Sequence, residues 1–300
     1  MPERVRLDSE LVRRGLARSR RHAGELITGG RVRVDGAAAT KVAMALGPEQ
    51  AVEVDVVDGD GFASRGAYKL AGALDALGAG GPAVTGRRCL DAGASTGGFT
   101  DVLLRRGAQH VVAVDVGHGQ LVPWLRDDPR VTVREGVNVR HLAAGDVGPA
   151  PELVVADLSF ISLTLVLPAL SAVVVPGGDL VLMVKPQFEV GRERLGAGGV
   201  VRDPALRAEA VLAVARAAAA VGARPQAVVA SPLPGPHGNV EYFLWARAAA
   251  AGDDAGVGGT GQDVTERDAL TTGRLRALVD EAVRTGPTGG GSTWTSGGGR

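Results

Sequence analysis

The chain has 300 residues, of which 45% are hydrophobic and only 3% aromatic, so it can bury a sizeable core built from Val, Leu and Ala. Its 33 basic and 33 acidic residues cancel, which excludes a uniformly basic or uniformly acidic protein. A single cysteine excludes an internal disulfide, and one cysteine with five scattered histidines predicts no metal site.

The sequence predicts neither secretion nor membrane insertion. The first residues are charged and lack the apolar stretch of a secretory signal. The longest apolar run, Leu163 to Val175, is too short to span a bilayer and contains Pro168. We therefore expect a soluble, cytoplasmic protein that does not associate with membranes.

Residues 1–58 are predicted to form a small α/β domain. Asp8 can cap a first helix, and Ser19 can cap a second helix that ends at a pair of glycines. Strands are expected at Arg31–Val34 and at Val52–Val57, because apolar and polar residues alternate there.

Basic charge is concentrated in this first domain. Between Met1 and Gly47 the chain carries ten basic residues against five acidic ones. Such a patch indicates a polyanionic partner, the alternative being an ordinary solvated face. The second helix and the strand after it are expected to bring their arginines together as a surface that follows phosphates. The candidate RNA-binding residues, including one from the start of the next domain, are Arg4, Arg6, Arg18, Arg20, Arg21, Arg31, Arg33 and Arg65.

The same segment resembles the S4 RNA-binding domain. The similarity covers most of residues 5–57 and lies in the stretches Arg6-Leu-Asp-x-x-Leu11, Gly15-Leu-Ala-x-Ser19-Arg20 and Ile27-x-x-Gly30-x-Val32-x-Val34-x-Gly36. The resemblance implies binding to folded RNA through arginines on helices, with limited readout of the bases.

A flexible linker at 59–63 is expected to lead into a second domain at 64–247. A helix opens at Ser64 and runs to Leu77, after which apolar strands alternate with helical segments, notably a long helix at Asp203–Val221. This alternation predicts an α/β, Rossmann-like doubly wound sheet. The expected strands are Cys89–Leu90, Val111–Val114, Val131–Arg134, Leu153–Ala156, Leu180–Val184, Ala227–Ala230 and Tyr242–Trp245.

The composition of residues 248–300 is dominated by Ala, Gly, Asp and Thr. We expect a low-complexity tail with one helix near 275–283 and disorder from Gly286 to Arg300.

A glycine-rich turn follows the first strand of the second domain. The apolar residues of Cys89–Ala92 lead into a turn with Gly93, Gly97 and Gly98, where the backbone can approach a ligand closely. One strand further on, Asp115 stands where an acidic residue accepts hydrogen bonds from both ribose hydroxyls of a nucleoside. These features predict a site for a nucleoside cofactor.

The charge of the turn distinguishes between nucleoside cofactors. The spacing differs from the Gly-x-Gly-x-x-Gly of dinucleotide-binding turns, and Asp91 precedes the first glycine. A carboxylate at this place repels a pyrophosphate but attracts the sulfonium and ammonium of S-adenosylmethionine. We therefore expect S-adenosylmethionine rather than NAD.

Four charged residues are candidates for catalysis. Asp157 and Lys185 each end an apolar strand, Glu241 lies just before one, and Lys69 lies on the helix before the glycine turn. Ligands bind at the carboxyl ends of parallel strands, so these side chains are expected to meet there. If a ribose 2′-hydroxyl accepts the methyl group of S-adenosylmethionine, we expect Lys185 to lie nearest that hydroxyl. Asp157 and Lys69 are expected beside Lys185, and Glu241 is expected to fix Lys185 or the ribose. A lysine there can accept the proton of a ribose 2′-hydroxyl or stabilise the developing alkoxide.

The order Lys–Asp–Lys–Glu resembles the FtsJ/RrmJ class of RNA 2′-O-methyltransferases, and its combination with an S4 domain resembles the TlyA family. The motifs are Ser64-Arg65-Gly66-x-x-Lys69, Asp91-x-Gly93-x-Ser95-x-Gly97-Gly98-Phe99 and Lys185-Pro186-Gln187-Phe188-Glu189. The resemblance covers residues 5 to about 246. It implies a class I methyltransferase fold, S-adenosylmethionine as cofactor and methylation of cytidine ribose in rRNA of both ribosomal subunits.

The resemblance also places Asn138 beside the adenine of the cofactor. The candidate cofactor-binding residues are Asp91, Gly93, Ser95, Thr96, Gly97, Gly98, Phe99, Asp115, Val116, Asn138 and Asp157.

Three other interpretations remain open. Asp157-Leu158-Ser159-Phe160 faintly resembles the Asp-Pro-Pro-Tyr motif of amino-methylating enzymes, but it lacks the prolines, so Phe160 is expected in the core or as a modest stacking surface. The TlyA family has also been described as haemolysins, which suggests a membrane-lytic protein. An RNA-binding assembly factor with an inert methyltransferase fold is the third interpretation.

Overall fold

The computed structural model describes residues 5–13, 17, 20–47, 50–54, 61–196, 198–235, 238–250 and 261–286. Two helices and five short strands form the N-terminal domain. They are β1 (Val5–Arg6), α1 (Leu7–Arg13), α2 (Arg20–Thr28), β2 (Val32–Val34), β3 (Ala37–Ala38), β4 (Ala45–Leu46) and β5 (Val52–Val54).

The N-terminal domain folds around apolar residues from both helices and from the strands. β2 pairs antiparallel with β3 and with β5, and β1 pairs antiparallel with β4. Leu7 and Leu11 of α1 pack with Ile27 of α2 in the core. Asp8, expected as a cap, is instead the second residue of α1. The proposed cap Ser19 and residues 55–57 of the predicted strand lie outside the described part of the chain.

The second domain begins with α3 (Arg65–Leu77), whose N-cap Ser64 accepts a hydrogen bond from the Gly66 amide. Strands and helices then alternate, as the sequence predicts. They are β6 (Arg88–Ala92), α4 (Gly98–Arg105), β7 (His110–Asp115), α5 (Pro123–Arg126), β8 (Val131–Glu135), α6 (Ala144–Val147), β9 (Leu153–Ala156), α7 (Leu167–Val173), β10 (Asp179–Val184), α8 (Pro186–Glu189), α9 (Pro204–Ala220), β11 (Ala223–Ala230), β12 (Tyr242–Ala248) and α10 (Gly261–Thr285).

The seven strands of this domain form one sheet in the order β11-β12-β10-β9-β6-β7-β8. β12 is antiparallel to β10 and β11, whereas the pairs from β10 to β8 are parallel. The parallel strands in the middle are apolar because helices cover both faces of the sheet. Two separate cores lie on these faces, and they contain alternate residues such as Leu90 and Val154 on one side, and Cys89 and Val155 on the other.

Chain order reverses between β6 and β9, which are neighbours in the sheet although β7 and β8 lie between them in sequence. Such a switch point opens a crevice at the carboxyl ends of the strands, where ligands bind in open α/β sheets. The predicted doubly wound fold is confirmed.

The C-terminal helix is longer than the sequence indicates. A helix was expected near 275–283, but α10 spans Gly261–Thr285. Leu275, Val279 and Ala282 are buried in the same core as α9 and β12. Their spacing places them on one face of the helix, so this segment is a layer of the second domain and not part of a tail. Residues 287–300 lie outside the described part of the chain.

Candidate active site

The glycine turn between β6 and α4 takes the conformation that its sequence demands. Gly93 and Gly97 have φ angles of +86° and +99°, in the region that favours glycine. A Cβ at Gly93 would lie 2.5 Å from the Asp157 carbonyl oxygen, and Cβ atoms at Gly97 and Gly98 would overlap side chains of Leu125 and Ser64. The glycines therefore let the turn pack against its protein neighbours, whereas we expected close approach to a ligand to require them.

Hydrogen bonds to Asp115 hold this turn at the end of β7. Its Oδ2 accepts a hydrogen bond from the Ser95 amide at 2.8 Å, and its Oδ1 accepts one from the Gly117 amide at 2.7 Å. A carboxylate has further lone pairs on each oxygen, so Asp115 can still accept hydrogen bonds from a ligand. The carboxylate is thus held rigidly at the edge of the sheet.

Asp115 lines a cavity of about 440 Å³, which we call the nucleoside cavity. Its lining combines polar groups with apolar side chains, which suits a ribose and a flat base. Val116, one of the lining residues, is 67% exposed. The lining residues are Gly93, Ser95, Asp115, Val116, Gln120, Val137, Asn138, Val139, Asp157, Leu158, Ser159, Phe160, Ile161 and Val166.

Asp91 does not reach this cavity. It is fully buried behind the turn, where its Oδ2 accepts a 2.7 Å hydrogen bond from the Thr100 hydroxyl. Its Oδ1 has no hydrogen-bond partner among the residues that the structure describes. Burial raises the pKa of Asp91 to about 7. Asp91 and Gly97 line neither this cavity nor the one described next, and their predicted contact with a cofactor stays a prediction.

A second cavity of about 460 Å³ adjoins the first, and we call it the catalytic cavity. Both cavities are lined by Gly93, Ser95, Asp157 and Ser159, which mark the junction between them. The complete lining is Ser64, Arg65, Gly66, Lys69, Gly93, Ala94, Ser95, Thr96, Gly98, Phe99, Asp157, Ser159, Lys185 and Pro234.

The four candidate catalytic residues form two ion pairs. Lys185 Nζ lies 2.6 Å from Asp157 Oδ1, a contact without hydrogen-bond alignment, and donates a hydrogen bond to Ser159 Oγ at 2.9 Å. Lys69 Nζ donates to Glu241 Oε2 at 2.6 Å. We expected Glu241 to fix Lys185 or the ribose, but its partner is Lys69.

Sheet topology explains why these distant residues meet. β9 and β10 are parallel neighbours, so Asp157 and Lys185, which follow them directly, come out at the same edge. β12 is antiparallel to β10 and begins where β10 ends, with Tyr242 opposite Val184, so Glu241 lies at that edge too. Lys69 comes from α3, which packs against α4. Glu241 itself is not among the lining residues of the catalytic cavity.

Two polar residues of this site were missed by sequence reasoning. Ser159 holds Lys185 from the junction of the cavities, and Gln187 Nε2 lies 3.5 Å from Glu241 Oε1. Both lie two residues after a candidate catalytic residue, Ser159 after Asp157 and Gln187 after Lys185. This proximity in sequence could have identified them as residues of the site.

Phe160 is not in the core. Its side chain is 92% exposed and lines the nucleoside cavity, with its ring centroid 5.3 Å from that of Phe188. Its φ angle of +64° is uncommon for an aromatic residue and is held at a cost of about 1–3 kcal/mol. This exposure is compatible with the other expectation for Phe160, a surface on which a ring can stack.

The structure brings some of the candidate RNA-binding arginines together. Arg6 and Arg20 both donate hydrogen bonds to Asp8, which lowers the pKa of that carboxyl group, Arg6 having the larger effect. Arg21, on the same helix as Arg20, pairs with Glu25 and is 90% exposed.

The remaining arginines differ in position. Arg33 is exposed on β2, and Arg31 precedes that strand with a half-buried side chain. Arg65 lies in the other domain, where it lines the catalytic cavity and donates to the Pro234 carbonyl at 3.2 Å. Arg4 and Arg18 lie outside the described residues.

Among the described residues, no group of three or more His, Cys, Asp and Glu side chains is placed to hold a metal ion. No helix in the same part of the chain has the length and apolar character required to cross a membrane.

The fold and the two lysine–carboxylate pairs beside a nucleoside cavity define a methyltransferase, and family models identify its type. The model of FtsJ-like methyltransferases matches residues 62–248, and the model of S4 domains matches residues 5–52. A protein of Mycobacterium tuberculosis named 16S/23S rRNA (cytidine-2′-O)-methyltransferase TlyA is 59% identical over 247 residues, which are 82% of this chain and 91% of that protein. The chain belongs to the TlyA family of FtsJ-like methyltransferases.

Other relatives extend over nearly the whole chain. YqxC of Bacillus subtilis, whose name describes an rRNA methyltransferase, is 37% identical over 94% of this chain and 95% of its own length. A solved structure from Streptococcus thermophilus that carries the name hemolysin matches with a TM-score of 0.63 and 32% identity, and covers 95% of this chain and 97% of that chain. The resemblance inferred from the motifs is confirmed.

Proposed function

We propose that this protein transfers a methyl group from S-adenosylmethionine to the ribose 2′-hydroxyl of cytidine in 16S and 23S rRNA. The observation that carries the proposal is the position of Lys185, whose ammonium is held by Asp157 and Ser159 where the nucleoside and catalytic cavities meet. The name of the mycobacterial relative, at 59% identity, supports the same substrate.

The residues around the nucleoside cavity fit this donor. Asp115 offers carboxylate lone pairs to ribose hydroxyls, Asn138 lines the same cavity, and apolar side chains offer a surface for the adenine. Asp157 places a negative charge at the junction of the two cavities. Carboxylates attract a cationic ligand, and the bound donor would supply a methyl group activated by its positive sulfur.

The two ion pairs have different roles in the catalytic cavity. Lys185, once it has released its own proton to solvent, takes the proton of the attacking hydroxyl; if it remains charged, it stabilises the alkoxide that develops. Asp157 and Ser159 hold its Nζ in one position. Lys69 adds a second positive charge to the cavity wall, and buried Glu241 balances that charge.

RNA recognition is assigned to both domains. In the N-terminal domain, Arg20 and Arg21 on α2 and Arg33 on β2 are exposed and can contact phosphates. Arg65 places a guanidinium at the catalytic cavity itself. The substrate is then rRNA or a ribosomal subunit, and the protein acts in the cytoplasm without a metal ion.

Two other functions make different predictions. A membrane-lytic protein, as the hemolysin name of the Streptococcus structure suggests, would lyse cells even with Asp115 replaced and the donor absent. An inert assembly factor would bind ribosomal RNA without transferring a methyl group. Amino methylation is disfavoured because Lys185 would have no role in it.

The test is incubation of ribosomal subunits that lack the modification with tritiated S-adenosylmethionine, followed by mapping of ribose methylation. The wild-type protein should methylate cytidine 2′-hydroxyls. Lys185→Ala should abolish transfer while donor affinity, measured by calorimetry, stays nearly unchanged. Arg216→Ala, at an exposed arginine of α9 that lines neither cavity, is the control and should be fully active. An active Lys185→Ala protein would refute the assignment.

A further inference from the structure

A third cavity lies beside the catalytic cavity and is the largest of the three, at about 650 Å³; we call it the flanking cavity. Its walls are mainly apolar, with three arginines and one acidic residue among them. It is lined by Phe62, Arg65, Tyr68, Ala71, Gly72, Asp75, Val102, Arg105, Arg106, Pro232 and Leu233.

Helix α3 separates the flanking cavity from the catalytic cavity. Lys69 faces the catalytic cavity, whereas Tyr68 and Gly72 on the same helix face the flanking cavity. The loop after β11 closes both cavities, because Pro234 lines the first while Pro232 lines the second and packs directly on Gly72.

Arg65 stands at the boundary between the two cavities. Its side chain lines both of them and donates a hydrogen bond to the Pro234 carbonyl at 3.2 Å. A ligand that enters the catalytic cavity past Arg65 therefore has the mouth of the flanking cavity next to it. A polymer can extend from one cavity into the other.

The walls of the flanking cavity offer the groups on which unstacked bases pack. The rings of Phe62 and Tyr68 meet edge to face at 5.0 Å, and the Arg105 guanidinium lies 4.9 Å from the centre of the Phe62 ring. Aromatic rings and arginine planes bind single-stranded bases by stacking, largely without regard to sequence.

Charge at the rim favours the same ligand. Arg106 pairs with Asp75 and Arg105 pairs with Asp101, which leaves these guanidiniums fixed in place and half exposed. Arg65 adds a further positive charge. Asp75 and Asp101 offset two of these charges, so a phosphate beside the base gains mainly from Arg65, which would add nothing to the binding of a purely apolar peptide.

We propose that the flanking cavity binds an unstacked nucleobase of the nucleotide next to, or one removed from, the methylated cytidine. The proposal rests on the proposed function, since it assumes an RNA strand in the catalytic cavity. The base packs against Tyr68 and Phe62, and Arg65 holds the phosphate between the two nucleotides.

The test is photocrosslinking with a Tyr68→p-benzoyl-phenylalanine protein bound to unmodified ribosomal subunits. Crosslinked nucleotides are mapped on the same RNA as the methylated cytidines. The expected crosslink falls within two nucleotides of a methylated cytidine. Trp124→p-benzoyl-phenylalanine, at a half-exposed aromatic residue outside this cavity, is the control and should not crosslink there.

Kinetics keep the proposal testable if the crosslinking variant fails to fold. Tyr68→Ala should raise the KM for RNA about tenfold with kcat changed less than about twofold, because one stacking contact is lost. Tyr68→Phe, which keeps the ring, should behave like the wild type.

The outcomes separate this inference from the proposed function. Ribose methylation by the wild type, with Tyr68 crosslinks only to distant RNA or to protein, or with no crosslink at all, would overturn the flanking-base assignment alone. An unchanged KM for Tyr68→Ala would do the same. A wild-type protein that methylates no ribose would overturn the proposed function, and the flanking base with it.

Discussion

The buried ion pair between Lys69 and Glu241 allows a sharp test of the site. Their side chains are 9% and 0% exposed, and the charged atoms lie 2.6 Å apart. Removing one partner of such a pair leaves a charge in the protein interior, which costs about 3–5 kcal/mol. Glu241→Gln keeps an oxygen that accepts from Lys69, so we expect a loss near the lower end, about 3 kcal/mol.

The other ion pair provides the comparison. After Asp157→Asn, the Lys185 ammonium, which is only 10% exposed, still has the Ser159 hydroxyl as a hydrogen-bond acceptor. Asp157 itself is 24% exposed, so its replacement should destabilise the protein by only about 1 kcal/mol, the net value of one hydrogen bond. Both variants should lose methyl transfer, but only Glu241→Gln should lose much stability.

Urea unfolding at pH 7 measures the difference, and a double variant isolates its cause. Lys69→Met with Glu241→Met removes both members of the buried pair and should recover stability to within about 1 kcal/mol of the wild type, because apolar replacements of buried pairs are often neutral. Methyl transfer should stay lost. A Glu241→Gln protein as stable as the wild type, or a double variant no better than the single one, would show that the pair is not buried as described.

Three further predictions concern other parts of the molecule. Because burial raises the pKa of Asp91 to about 7, folding takes up a proton and wild-type stability should fall as pH rises from the ordinary carboxyl pKa toward 7. Asp91→Asn should lack this fall; parallel urea-unfolding profiles between pH 4 and 8 would contradict it. Arg21→Ala should weaken RNA binding and reduce the slope of log affinity against log salt by about 1, whereas exposed Arg216→Ala on α9 should not. Ser159→Ala should lower kcat about tenfold through looser placement of the lysine, with donor affinity unchanged and activity rescued by Ser159→Thr; an unchanged kcat would exclude that role.

The sheet and the residues at its edge could be predicted from two features: the spacing of apolar residues along the chain and the common direction of the parallel strands. Runs such as Leu153–Ala156 are apolar on both faces, which indicates a strand covered by helices on both sides. Neighbouring parallel strands end at one edge, so Asp157 and Lys185 had to meet once their strands were adjacent. The pairing of Lys69 with Glu241 could not be predicted, because it depends on how α3 packs against the antiparallel edge of the sheet.

Asp91 shows where charge reasoning alone fails. Its sign fits a cationic donor, but side chains alternate along a strand, and Asp91 lies two residues after Cys89. It therefore points to the same face as Cys89, beneath α4, where the Thr100 hydroxyl donates a hydrogen bond to its carboxyl group. Alternation from Cys89 was visible in the sequence and would have placed Asp91 behind the turn.

The length of α10 could not be read from composition. Its first half contains Gly, Asp, Thr and Glu with few apolar residues, which is typical of a tail. Leu275, Val279 and Ala282 nevertheless supply one apolar face, and burial against α9 stabilises the helix around them. Tertiary packing thus determines the helical conformation of a segment whose intrinsic helix propensity is weak.

Lysine usage bears on which chemistry the catalytic cavity performs. Only three of the 33 basic residues are lysines, and two of these, Lys69 and Lys185, line one cavity while Lys41 is exposed. An arginine would supply charge there equally well, but it does not lose its proton and its planar fork needs more room. If Lys185 acts as the proton acceptor, Lys185→Arg should bind donor and RNA as the wild type does and still fail to transfer methyl groups. Substantial transfer by that variant would show that positive charge alone is sufficient at this position.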